Sequence, residues 1–100
     1  MAKARHADEV TRFSDIPNVG PATIGDFEAL GLRDPQALAQ QDPYDLYQQL
    51  QRRQGEQLDP CVCDVLIAAV RFMRGAPPQP WWHYTAERKL HLSTRSSAAP

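Results

Sequence analysis

Apolar positions in this chain recur at helical spacing, and prolines and glycines cut the pattern into short lengths. Val10, Phe13 and Ile16 stand three apart and run into Pro17-Asn18-Val19-Gly20-Pro21. Asn and Gly take positive φ more readily than most residues, so this segment predicts a reversal within a few residues. Pro21 suits the first position of a following helix, where its absent N–H has no partner to lose. Ile24, Phe27 and Leu30 then repeat at spacing three, and Gly31 offers a left-handed cap. Asp34-Pro35, Asp42-Pro43 and Asp59-Pro60 predict further helix starts, with the Asp capping and the Pro first in the helix. After Pro35, Ala37 and Leu38 support about two turns. After Pro43, Leu46, Tyr47 and Leu50 form the stripe of an amphipathic helix that Gly55 closes.

The segment from Cys61 to Met73 differs in kind, because only Asp64 and Arg71 interrupt its apolar run. At about 100° per residue these two lie about 20° apart, which predicts a narrow solvent stripe on an otherwise buried rod. Leu66 and Val70 should be among its least exposed positions. Gly75 and Ala76-Pro77-Pro78-Gln79-Pro80 forbid continuation, and Trp81, Trp82 and Tyr84 follow. From Ser93 to Pro100 there is too little apolar matter to order a tail. No β-type alternation runs longer than three or four residues. The expected architecture is all-α, about five short helices around a central buried helix. The domain spans 8–86, and flexible tails cover 1–7 and 93–100.

A hundred residues with 42% hydrophobic content and net charge −1 describe a single small domain. No run reaches the roughly 20 apolar residues that span a bilayer, so no membrane partner is expected. Met1 to His6 carries charge with no apolar stretch behind it, and two cysteines cannot staple a secreted fold. A cytoplasmic location follows as the expectation. The charge is unevenly spread: residues 8–45 net −6, residues 46–100 net +3 and residues 1–7 net +2.

Taken together, these motifs resemble a helix-hairpin-helix protein: an apolar helix, an Ile-Pro-x-Val-Gly turn and a second helix, here Phe13 to Phe27. Leu30-Gly31-Leu32-Arg33, Leu38 and Asp42-Pro43-Tyr44-Asp45-Leu46-Tyr47 resemble the extended, SAM-like two-hairpin version. The order of hairpin, Asp-Pro-x-x-Leu-Tyr, Cys-x-x-Asp-Val and Trp-Trp is similar to a small bacterial family labelled pathogenicity-locus or mitomycin-resistance proteins. The resemblance covers about residues 10–86. It implies a non-enzymatic module gripping DNA backbone through Pro17, Asn18, Val19, Gly20, Ala22 and Thr23, or acting with a DNA-handling partner. Two positions depart from the wider pattern. Asn18 replaces the first hairpin glycine, and Ala22 and Asp26 stand where DNA-binding members are often basic.

The physical case for such a grip is that N–H groups at a helix start attract anions. The case against it is charge, since phosphate neutralisation supplies most non-specific affinity and this half is acidic. Arg52, Arg53, Arg71 and Arg74 would have to assist. The alternative is a protein-interaction module that keeps the hairpin as scaffold, and both readings stay open.

Residues two apart on a helix point about 200° from one another, so Cys61 and Cys63 cannot share a metal or a disulfide. Buried packing is the default for such thiols, although the helix dipole would lower the Cys61 pKa somewhat. His6, His83 and His91 are isolated, and no Gly-rich phosphate loop occurs. No cofactor, metal or enzymatic activity is expected. Trp81 and Trp82 are candidate partner anchors, but aromatics behind a Pro-rich connector more often cap a small core. One of an adjacent pair can cap while the other stays available.

Overall fold

The computed structural model describes the backbone of residues 3–98 and the side chains of residues 3–93. The described residues form four α-helices: α1 (Pro21–Ala29), α2 (Pro43–Gln54), α3 (Pro60–Met73) and α4 (Thr85–Ala98). Short 3-10 helices occupy Ala7–Glu9, Phe13–Asp15, Pro35–Gln40 and Trp81–Tyr84, and no strand occurs among the described residues. The fold is all-α, as the punctuation of the chain requires.

The Asp-Pro pairs work as their chemistry demands. Asp34, Asp42 and Asp59 each accept a hydrogen bond from the backbone N–H two residues on, at Gln36, Tyr44 and Cys61. The following prolines open a 3-10 helix, α2 and α3 respectively. Gly31 takes φ +81°, and its N–H and that of Leu32 close α1 onto the Glu28 and Phe27 carbonyls. This is the paired-bond stop that a left-handed residue permits.

The ends of the chain depart from expectation. The stretch around Val10, Phe13 and Ile16 is not an α-helix but a pair of 3-10 turns. Asp15 explains this locally, because its Oδ2 accepts from the N–H groups of Thr11 and Arg12 and from the Thr11 hydroxyl. Glu9 does the same for the N–H groups of Arg5 and His6. Each carboxylate reaches back to its own N-cap N–H and so opens a separate short turn, while Val10 is extended between them and Pro17 pushes Ile16 out of the helical region. Lys3 and Ala4, within the expected N-terminal tail, are hydrogen-bonded to Ser14, Asp15 and Val19. Residues 93–98, within the expected C-terminal tail, continue α4. Residues 1, 2, 99 and 100 lie outside the described residues.

α3 is the centre of the molecule: nine of its fourteen residues are buried, Leu66 and Val70 completely. It packs against α2, α4 and the two 3-10 helices at Pro35 and Trp81. Leu38, Leu46, Leu50, Ile16, Val19 and Phe27 complete the core, with the Phe13 and Phe27 rings 4.8 Å apart.

The polar stripe of α3 faces α4 rather than open solvent, with Asp64 buried and Arg71 half-buried. Asp64 is fully buried, taking Arg88 Nε at 2.9 Å and the Thr85 hydroxyl at 2.7 Å. Arg71 forms a two-pronged pair with Glu87 at 2.7 and 2.9 Å. Burial pushes the Glu87 carboxyl up, but Arg71 and the Tyr44 hydroxyl outweigh it and hold the group below the usual carboxylate range. The His91 ring stacks on Tyr44 with centroids 3.5 Å apart. α4 therefore docks largely through charge-assisted hydrogen bonds, with Leu92 packing against the core, and no buried side-chain nitrogen or oxygen among the described residues lacks a partner.

Candidate functional site

The reversal before α1 is held by the Val19 N–H donating to the Ile16 carbonyl. Asn18 supplies the left-handed residue, at φ +71°. Gly20 does not: its φ of −117° and ψ of −174° are extended backbone open to any residue. Of the two residue types that suit positive φ in this turn, Asn18 alone therefore adopts it and completes the reversal. Nothing lies within 4 Å of a Cβ built on Gly20. The Gly20 carbonyl accepts from Ile24, the first bond of α1. The N–H groups of Ala22 and Thr23 thus fall in the first turn, where a helix offers no internal acceptor.

The six hairpin residues do not form one surface. Val19 is buried in the core and Pro17 is half-buried. The Asn18 side chain turns inward: its Nδ2 donates to the Gln79 carbonyl at 2.7 Å, and its Oδ1 accepts from the Trp81 N–H at 3.2 Å. Asn18 thereby joins the two candidate sites, the turn and the tryptophan pair. Gly20, Ala22 and Thr23 remain as an accessible corner. Lys3 stands beside it, donating through Nζ to the carbonyls of Ser14 and Val19. Sequence spacing carries no signal for that placement, since the contact is tertiary.

Of the arginines that were to assist, Arg71 is paired with Glu87, and Arg74 holds the Ala39 and Gln41 carbonyls at 2.9 and 2.7 Å. Arg52 and Arg53 are exposed in the last turn of α2. Asp26 is half-buried on α1, and burial pushes its carboxyl up.

Trp81 is half-buried, whereas Trp82 is 62% exposed with its ring edge-on to Trp81 at 5.5 Å. The pair splits its roles between packing and surface.

Cys61 is exposed and Cys63 is buried, so the sulfurs do face different environments. Burial pushes the Cys63 thiol up to about 12. Cys61 is also raised, because its hydrogen bond to the Asp59 carboxylate favours the protonated form. The expected lowering by the helix dipole is overruled by the capping residue itself. Among the described residues, no group of His, Cys, Asp and Glu is placed to hold a metal ion. Among the same residues, no helix is long and apolar enough to cross a membrane.

An all-helical fold, built on one buried helix and carrying a tied turn at its N-terminal side, is the class that this geometry defines. The chain belongs to the pathogenicity locus family, Cdd1, whose model matches residues 6–90. It is 42% identical over 78 residues to the mitomycin resistance protein McrB of Streptomyces lavendulae, covering 78% of this chain and 74% of that protein. No solved structure matches it significantly.

Proposed function

We propose that this chain is a non-enzymatic helix-hairpin-helix module that associates with DNA through weak, sequence-independent contacts to the phosphate backbone. One observation carries the reading. The start of α1 is open at Gly20, Ala22 and Thr23, and the Lys3 ammonium is fixed on the carbonyl of Val19 immediately before it. Free N–H groups at a helix start, with a cation beside them, attract a phosphate oxygen. Such a contact reads no bases.

Two substitutions separate phosphate binding from folding. Ala22→Asp places a carboxylate in the first turn of α1, where it favours the helix. It should leave the melting temperature unchanged or raised, yet weaken duplex binding by about tenfold, the scale of a 1.4 kcal/mol contact. Asp26→Lys should tighten binding by removing repulsion and adding a counter-charge. Fluorescence anisotropy on a labelled generic duplex reads both. Equal affinity across wild type, Ala22→Asp and Asp26→Lys would exclude the α1 start as the contact.

A second reading has its own observation. Asn18 ties the turn to the segment that presents Trp82, and Trp82 is 62% exposed. Exposed tryptophan is the residue type that most often anchors a protein interface. In this reading the hairpin is scaffold and Trp82 meets a protein partner. Absence of duplex binding at low salt, with none gained in Asp26→Lys, selects it.

A further inference from the structure

We propose that the nucleic-acid backbone reaching the α1 start continues along a basic track on the N-terminal segment, formed by Lys3, Arg5 and Arg12 and ending at Arg74. This rests on the DNA-backbone reading above and adds the charge that the hairpin itself lacks.

Two adjoining grooves define the track. One, of about 530 Å³, opens between Arg5–Asp8 and the corner that follows α3, with Arg74 on its far wall and Met73, Pro77 and Pro78 among its lining. The other, of about 500 Å³, is bordered by Lys3, Arg5 and Arg12 together with Glu9 and Asp15. Arg5 borders both grooves and is the residue they share, so a strand lying in one meets the cation of the next. Lys3 fixes its near end, because its ammonium sits on the Val19 carbonyl at the turn before α1.

The cations at either end are held in place. Arg74 donates Nε and Nη2 to the Ala39 and Gln41 carbonyls, which leaves Nη1 for a ligand on a guanidinium whose plane is already set. The acidic neighbours are Asp8, Glu9 and Asp15. Backbone hydrogen bonds hold the Glu9 and Asp15 carboxyls below the usual carboxylate range, so both remain charged at neutral pH. Those bonds also turn Glu9 and Asp15 back onto their own chain, at the N–H groups of Arg5, His6, Thr11 and Arg12. Arg5 and Arg12 are exposed. A polyanion with charges along its length fits a row of separated cations that continues into an N–H corner. A single small anion would use one end only.

The test is the salt dependence of binding to a 30-base-pair generic duplex by the full chain. Each phosphate neutralised contributes about 0.9 to the slope of log K against log salt. Arg5→Ala with Arg12→Ala should reduce the slope by about 1.8 and leave the melting curve in place, since neither side chain holds the fold. Arg52→Ala with Arg53→Ala removes the same charge from α2 and should leave the slope unchanged. Equal loss from both pairs would show a net-charge effect and overturn the track. An unchanged slope in Arg5→Ala/Arg12→Ala, with wild type still bound and Ala22→Asp still weakened, would overturn the track while sparing the α1 contact. Failure of wild type to bind at low salt would remove the DNA reading and the track together. Polyglutamate that binds as tightly as the duplex, with the same dependence on Arg5 and Arg12, would assign the surface to an acidic protein instead.

Discussion

Asp64→Ala is expected to destabilise the domain by about 3–5 kcal/mol, the usual cost of removing one partner from a buried ion pair. Asp64 is fully buried, and the Arg88 side chain that meets it is only 12% exposed. Truncation leaves that guanidinium without its counter-charge and strips the Thr85 hydroxyl of its acceptor. Small domains are stable by about 5–15 kcal/mol, so the loss is a large fraction of the whole. Urea denaturation measures it directly. The companion variant Asp64→Leu/Arg88→Met should recover much of the loss, because an apolar pair of similar volume needs no desolvated charge. A cost below about 1 kcal/mol for Asp64→Ala would mean that α4 does not dock on α3.

Leu66→Ala should cost about 2–5 kcal/mol by a different route, through lost apolar transfer and the cavity left behind. Leu66 is fully excluded from solvent on the helix that α2, α4 and the 3-10 helices at Pro35 and Trp81 all contact. Relaxation is restricted there, because Ile67, Val70 and Leu50 are equally buried. The effects of Leu66→Ala and Asp64→Ala need not add, since the two residues share a helix two positions apart. Retention of full stability in Leu66→Ala would remove α3 from the centre of the fold.

Local chemistry was legible where one residue determines one backbone event. Asp34, Asp42 and Asp59 cap as read, and Gly31 stops α1 as read, because these motifs act within a few residues. The same locality misled at the first turn. Spacing of Val10, Phe13 and Ile16 fits a helix, but Glu9 and Asp15 cap two separate short turns, and Pro17 stops the second before it can lengthen. It misled again at Asp64 and Arg71, since periodicity distinguishes apolar from polar faces but not solvent from a charged partner. That partner, α4, is poor in apolar residues, and its first turns are held by Arg88, Glu87 and His91 through contacts with distant elements. No local pattern announces such a helix.

The site divided in the same way. Positive φ at Asn18 was readable from residue type, whereas its side-chain bonds to Gln79 and Trp81 span more than sixty positions. The split of Trp81 and Trp82 between packing and exposure followed from their adjacency. Lys3 was invisible to spacing because its acceptors are carbonyls of the turn, and carbonyls carry no residue signature.

The central claim is that the open start of α1 and the cations beside it hold a nucleic-acid backbone. Titrating salt against wild-type binding to a generic duplex tests it most directly. The account predicts dissociation constants around 10⁻⁴–10⁻⁶ M near physiological salt, tighter binding as salt falls, a linear log–log dependence and no preference among sequences. No binding at low salt, or binding that salt does not weaken, would contradict it.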